Sequence, residues 1–377
     1  MRSNEIIKWS NMKKTILVTG GAGFIGVNFV RFWTQKYPED RVIVLDALTY
    51  AGNASSLVGV GNADLVRADI RDFKNNQHLL EQYGINLIAH FAAESHVDRS
   101  IHGPDEFLDT NIMGTHALLK AAKNVWQNSS GAWSEGCRFH HVSTDEVYGS
   151  LSNTDPAFSE TTPYAPNSPY SASKAASDHI VRAYHHTYGM PVTTSNCSNN
   201  YGPYQFPEKL IPLFMLNILH GRPLPIYGDG MNVRDWLYVE DHCDAIDLII
   251  QNGRVGEVYN VGGGEELPNM RVIDTLCSEL DFRFKQDQSL SQRFPQSPCA
   301  HGVLADSLKT YVTDRLGHDK RYAIDESKIR NELGYVPKHT FQRAISQTID
   351  WYLSNEVWWQ SVLDGRYQDR YSENDIY

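Results

Sequence analysis

The chain has 377 residues, 41% of them hydrophobic and 21% charged, with a formal net charge of −11. This composition fits a soluble globular protein of one large domain or two interleaved lobes, and the negative balance argues against nucleic-acid binding driven by overall charge. No apolar run reaches the roughly 18 residues of a membrane span, and five cysteines (Cys137, Cys197, Cys243, Cys277, Cys299) without a CxxC pair point to reduced thiols in a cytoplasmic protein.

Met1 to Lys14 carries Ile6, Ile7 and Trp9 but no continuous apolar core, so it does not read as a signal peptide. Residues 1–12 read as an N-terminal extension. Thr15 to Thr19 is a short apolar run ending in glycines, as expected of a buried parallel strand. A helix is predicted from Phe24 to Tyr37. Strands follow at Arg41 to Asp46, Ala63 to Asp69 and Asn86 to Phe91. Helices are expected over Lys74 to Tyr83 and between Pro104 and Trp126. A strand at Arg138 to Ser143, a helix at Ser168 to Tyr188 and a strand at Val192 to Cys197 complete this half. Strands alternating with helices imply an α/β fold, a Rossmann-type doubly wound parallel sheet, over residues 13–200.

After about residue 200 the pattern loosens, with Pro203, Pro207, Pro212, Pro223 and Pro225 breaking it up. Short strands are expected at Leu224–Tyr227, Arg234–Val239 and Glu257–Val261, with a segment of about 230–262 returning to the main sheet. Residues 201–229 and 263–377 then form a smaller mixed α/β substrate-binding lobe. Residues 283–308, rich in Ser and Gln with Pro295 and Pro298, read as a surface insertion. Closing helices are predicted at Asp325 to Leu333 and Phe341 to Leu353.

Gly20-Gly21-Ala22-Gly23-Phe24-Ile25-Gly26 links the first strand to the first helix. Glycines at 20, 23 and 26 permit a tight turn and close approach of backbone to a pyrophosphate, and the helix N-terminus offers N–H groups to the anion. Asp46 ends the next strand, where its carboxylate binds ribose hydroxyls and repels a 2′-phosphate, so NAD is favoured over NADP. Asp69 and Ile70 are placed to flank the adenine. A plain glycine turn and a solvated strand-end Asp69 are the simpler alternatives. Tyr170 and Lys174 lie four apart on one helix face, where the ammonium is expected to lower the phenol's pKa. Thr144, Asp145 and Glu146 follow the strand from Arg138, at the sheet edge where ligands bind. Capping residues would explain them alone. Two adjacent carboxyls with pKa values pushed apart can instead supply an acid and a base.

These stretches carry a resemblance. Val18 to Gly26, Asp46 to Asn53, Phe91 to Asp98, Ser143 to Gly149, Tyr170 to Lys174, Asn196 to Tyr204, Phe206 to Pro212, Arg234 to His242 and Gly317 to Tyr322 resemble the extended short-chain dehydrogenases/reductases. Within them the likeness is to the nucleotide-sugar 4,6-dehydratases that act on dTDP-glucose, over roughly residues 13 to 365. The resemblance implies an NAD-dependent hydro-lyase acting by transient oxidation at carbon 4, elimination of water across carbons 5 and 6, and hydride return to carbon 6. It implies a 4-keto-6-deoxy product, a precursor of rhamnose or other deoxysugars, and a homodimer through the helices near 104–126 and 168–188.

By the same resemblance, Thr144, Asp145, Glu146, Tyr170 and Lys174 are catalytic. Cofactor contacts are Gly20, Gly23, Phe24, Ile25, Gly26, Asp46, Ala47, Leu48, Thr49, Asp69, Ile70, Phe91, Ala92, Ala93, Ser95, Thr110, Tyr170, Lys174 and Asn200. Substrate contacts are Ser95, Thr144, Asn199, Glu208, Lys209, Leu210, Ile211, Pro225, Ile226, Tyr227, Arg234, Asn269, Asp314, Arg315, His318 and Tyr322. Arg234 and Arg315 suit a pyrophosphate, which a guanidinium binds in a forked geometry. Leu316 stands where the family usually has proline. UDP- or GDP-sugar 4,6-dehydration and 4-epimerisation of a nucleotide sugar are the rival activities; epimerisation needs no Asp-Glu pair. No metal site is expected, because neither His140-His141 nor His185-His186 falls in a ligand spacing.

Overall fold

The computed structural model describes residues 13–314 and 318–364, so the N-terminal extension, Arg315 and Leu316 lie outside the described residues. The strands are β1 (Thr15–Thr19), β2 (Arg41–Asp46), β3 (Ala63–Arg67), β4 (Leu87–His90), β5 (Arg138–Thr144), β6 (Val192–Cys197), β7 (Asn199–Tyr201), β8 (Leu224–Tyr227), β9 (Val233–Tyr238), β10 (Val258–Val261), β11 (Glu266–Pro268) and β12 (Lys309–Val312). Seven of them form one parallel sheet in the order β10-β6-β5-β4-β1-β2-β3. This is the Rossmann-type sheet expected from the alternating pattern.

Period-two alternation divides the core between the faces of the sheet. Ile16, Val18, Val42 and Val44 pack with Phe29 and Trp33 of the helix Phe24–Lys36 and with Ile246 and Ile250 of the helix Val239–Asn252. Leu17, Ile43, Leu45 and Ile88 face the helices Phe73–Tyr83, Thr115–Trp126 and Pro169–Tyr188. Strand order reverses between β1 and β4, and there the backbone after β1 meets the chain after β4. A Cβ on Gly20, at φ +67°, would stand 2.7 Å from Ala92 Cα. The crevice at this switch point is where ligands bind in open α/β sheets.

Four features correct or refine the expectations. First, the helix-rich stretch between Pro104 and Trp126 contains a π-helical turn at Leu108–Gly114, where a Cβ on Gly114 would meet Ile70 Cδ1 at 2.6 Å. The widened turn lets Asn111 hydrogen-bond both to the backbone of Glu94 and to Ser173. Second, β9 does not return to the main sheet. It pairs with β7 and β11 in a three-stranded sheet, and only β10 rejoins the parallel one. Third, residues 283–308 are anchored. The helix Asn269–Gln286 runs into them, and Phe284, Leu290, Phe294 and Ala305 are buried among Ile218, Leu276 and Trp359. Their polar residues hid four apolar anchors spaced too irregularly to signal an element. Fourth, a further helix at Glu356–Leu363 follows the two expected ones, with Trp358 Nε1 donating to Ser56 Oγ at 2.9 Å. Among the described residues no helix is long and apolar enough to cross a membrane.

The helix Pro169–Tyr188 begins in a capping box between Ser168 and Ser171 with Pro169 in its first turn, and ends at Gly189 in the left-handed region. Asp178 ties it to β5. Ser143 and Tyr164 donate to Asp178 Oδ2 at 2.9 and 3.0 Å, and His141 Nε2 lies 3.0 Å from Oδ1. Burial pushes the Asp178 carboxyl up to about 6 from 3.8, against the opposing pull of Lys174. The folded chain therefore keeps this proton in a window where the unfolded chain has released it, and stability drains away as pH rises through that window. Between about pH 4 and pH 6 urea stability should fall more steeply for the native chain than for Asp178→Asn, whose amide can occupy the same network. Equal slopes would overturn the assignment. Phe294→Ala should cost about 3–5 kcal/mol in the same assay, whereas a loose surface insertion would give a change near zero.

Candidate active site

The turn after β1 forms the first part of the site. A Cβ on Gly26 would lie 2.2 Å from the Gly20 carbonyl oxygen, so only glycine allows the helix to start this close to the strand. Gly23 caps that helix in an extended conformation with no side-chain hydrogen bond, leaving its first N–H groups to an anion. Asp46 is buried at the end of β2. Ala22 N–H and Leu48 N–H donate to its two oxygens at 2.9 and 2.8 Å, which fixes the carboxylate at the cavity wall. Burial raises its pKa and these two bonds oppose the rise. A glycine cradle, an open helix terminus and an acid at the second strand end fit a dinucleotide with a free ribose diol.

The second part sits where β5 ends. Thr144 caps the 3₁₀ turn Asp145–Tyr148, its Oγ1 accepting from Glu146 N–H at 3.3 Å. Asp145 is fully buried, and its carboxyl is held well above the usual carboxylate range by burial first and the Glu146 carboxylate second. Glu146 is only partly buried. The two carboxyls thus differ in burial.

Tyr170 and Lys174 both face the same cavity. The expected lowering of the phenol's pKa is not what the protein groups produce. Burial, with Glu146, Cys197 and Asp145 beside it, pushes Tyr170 well above the ordinary phenol range, opposed by a hydrogen bond with Thr144. Lys174 Nζ donates to the Val142 carbonyl at 2.8 Å, and burial lowers its own pKa.

One cavity of about 1170 Å³ runs from the glycine turn past these residues into the smaller lobe. This exceeds the usual size of a single small-ligand pocket. Every site residue singled out above lines it except Leu48, Asp314 and Arg315. Leu48 uses its N–H on Asp46 instead of facing the cavity. Asp314 stands behind the wall, 2.6 Å from His318 Nδ1. Arg315 lies outside the described residues. In the smaller lobe, Arg234 is buried, donates to the carbonyls of Val233 and Asp319 at 2.8 and 2.9 Å, and stacks 4.2 Å from the Tyr322 ring centre.

Sequence reasoning missed several lining residues, among them His96, Cys197, Phe206, Trp236 and Asp319. Cys197 could have been found from its place at the end of β6. It also missed Asn111 and Asp178, which stand behind the catalytic helix and carry no motif of their own.

The family model described as GDP-mannose 4,6 dehydratase matches residues 17–348. A dTDP-glucose 4,6-dehydratase of Xanthomonas campestris is 55% identical over 357 residues, 94% of this chain and 97% of that protein. The crystal structure of the Bacillus anthracis dTDP-glucose 4,6-dehydratase in complex with NAD superposes with a TM-score of 0.79 at 43% identity, covering 93% of this chain and 99% of that one. The Streptomyces venezuelae dTDP-glucose 4,6-dehydratase, also with NAD bound, gives a TM-score of 0.80 at 46% identity over 92% and 99%. With identity of this order along nearly its whole length, and with a dinucleotide cradle opening onto paired carboxyls, the chain belongs to the dTDP-glucose 4,6-dehydratase family.

Proposed function

We propose that the chain converts dTDP-glucose to dTDP-4-keto-6-deoxyglucose with NAD as a resident cofactor. The observation that carries this reading is the buried Asp145 beside Glu146 in the same cavity as Tyr170 and Lys174. A nucleotide-sugar epimerase needs no such carboxyl pair. Bound NAD⁺ supplies a reversible hydride acceptor and, while oxidised, a positive charge that favours the Tyr170 phenolate.

Tyr170 takes the proton from the hydroxyl at carbon 4 as hydride leaves that carbon. Thr144 donates a hydrogen bond to the carbon 4 oxygen. The ketone acidifies the hydrogen at carbon 5, which Glu146 removes as carboxylate. Asp145, kept protonated by burial and by Glu146, protonates the hydroxyl leaving carbon 6. Hydride returns to carbon 6 and Glu146 gives its proton back to carbon 5. Lys174 holds the ribose of the nicotinamide, and Asp46 its adenosine counterpart. Glu208 and Lys209 support the sugar. Arg234 takes the pyrophosphate, with Arg315 as its partner by family resemblance. Asn199, Leu210, Pro225, Tyr227, Asn269, His318 and Tyr322 complete the nucleotide pocket.

We assign the protein to the cytoplasm, in keeping with five free cysteines. A homodimer through the helices near 104–126 and 168–188 is supported by the exposed Leu108, Met113 and Tyr188 on those segments.

Incubation with dTDP-glucose should yield a product lighter by one water, with UDP-glucose much slower. Preference for UDP-glucose would overturn the base assignment. Glu146→Gln should block solvent deuterium from entering carbon 5 while substrate still reduces the cofactor. Tyr170→Phe should slow that reduction about 10²–10⁴-fold in a single turnover with cofactor retained. Undiminished reduction would remove Tyr170 from its role.

A further inference from the structure

One stretch of the smaller lobe is tied repeatedly to the dinucleotide half. Pro203 to Lys209 runs between β7 and the helix Leu210–Leu219. Its first half is pinned. Asn28 Nδ2 donates to the Pro203 carbonyl at 2.9 Å, the Arg31 guanidinium lies 4.9 Å from the centre of the Tyr204 ring, and the Gln205 carbonyl accepts from the Tyr352 hydroxyl. Tyr204 stands at φ +65°, a conformation unfavourable for a tyrosine, which the packing of its ring against Trp351 and Trp358 sustains. The second half is held through side chains. The Tyr50 hydroxyl donates to Glu208 Oε1 at 3.2 Å, and the Phe206 and Tyr50 rings meet edge-on with centres 5.7 Å apart. His96 Nε2 lies 3.5 Å from Glu208 Oε2, and Lys209 Nζ donates to the Ser95 carbonyl at 3.3 Å. The Arg99 guanidinium lies 3.8 Å from the centre of the Tyr50 ring.

These partners surround the glycine turn. Asn28 and Arg31 belong to the helix that the turn opens, Tyr50 to the loop after β2, and Ser95 and His96 to the loop after β4. Because β1 lies between β2 and β4 in the sheet, a segment bonded to both loops and to that helix crosses in front of the turn after β1. Gln205, Phe206, Pro207, Glu208 and Lys209 all line the cavity. We propose that Pro203–Lys209 is a strap closed over the pyrophosphate of the dinucleotide, with the Tyr50 hydroxyl on Glu208 as its catch, and that the strap must lift before the cofactor can leave.

The loop that carries the catch is firm. Leu48 N–H donates to Asp46 Oδ1 at 2.8 Å, Asn53 N–H donates to the Ala22 carbonyl at 2.9 Å, and a Cβ on Gly52 would stand 2.6 Å from Asp46 Oδ1. Pro203 and Pro207 fix φ at two points of the strap, so it moves as one piece with Tyr204 as its pivot. A hydroxyl bonded to a carboxylate makes a strong tether. Tyr50 is not part of the cavity lining, so losing its hydroxyl releases the strap without removing a contact to the dinucleotide. A chemistry whose hydride comes back gains from such a strap, because a site that loses its cofactor stands idle.

This inference rests on the reading of NAD as a resident cofactor. Exchange of bound, isotopically labelled NAD against an excess of unlabelled NAD, with no sugar nucleotide present, tests it on the holoenzyme. Tyr50→Phe should exchange its cofactor about ten- to a hundred-fold faster than the native protein, at an unchanged urea midpoint. Unchanged exchange overturns the strap. Faster exchange with a matching fall in the urea midpoint marks a general loosening of the fold and overturns it too. Should Tyr50→Phe fail to fold, Lys209→Met, which releases the strap from Ser95, is read in the same way. A native protein that retains no NAD overturns the cofactor reading itself, whereas slow native exchange that neither variant quickens overturns the strap alone.

Discussion

A carboxyl buried next to a second carboxylate, with no cation bonded to it, is far less stable ionised than protonated. That constraint governs the active site. Water is excluded from Asp145, and Glu146 adds a negative field from the next residue along the chain. Glu146, by contrast, is only partly buried. Two side chains of nearly identical chemistry thereby sit in different surroundings, with β5 and its 3₁₀ turn deciding which one is sealed in.

Fixing that turn requires a rigid platform, and the sheet supplies it with polar side chains as well as apolar ones. His90 lies between Thr19 and Thr115, and His140 between Thr193 and Ser195, each within 3.2 Å. Asp178 gathers His141, Ser143 and Tyr164 one helical turn beyond Lys174. Burial keeps these histidines neutral, so they serve as hydrogen-bonding struts. Because each strut spans two elements, the helix bearing Tyr170 and Lys174 is registered against β5 by directional bonds, which apolar packing alone does not provide.

How much of this could be read from residues alone follows the range of the forces involved. The strands β1, β2 and β6 and the glycine turn depend on local patterning, and their limits were legible. So were Asp46 and the carboxyl pair, because a strand end locates the ligand edge of a sheet. The π-helical turn at Leu108–Gly114 was not, since it answers to the Ile70 side chain lying against Gly114 from a distant loop. The anchoring of Phe294, and β9 pairing outside the main sheet, likewise depend on partners far away in sequence. The phenol of Tyr170 shows the same limit in electrostatics. Its lysine neighbour was visible in the spacing, but the burial and the carboxylates that outweigh that neighbour were not.

The cavity also explains why one chain needs both lobes. Its floor is the switch point between β1 and β4, and its far wall is built from β8, β9 and the segment around Glu208 and Lys209. Direct bonds join the two sides. Tyr50 donates to Glu208 at 3.2 Å under the Arg99 guanidinium, His96 lies 3.5 Å from the same carboxylate, and Lys209 reaches the Ser95 carbonyl at 3.3 Å. These contacts sit beside the proposed reacting groups, where opening the lobes would have to break them together. A reaction that returns its hydride needs no exchange of cofactor between turnovers.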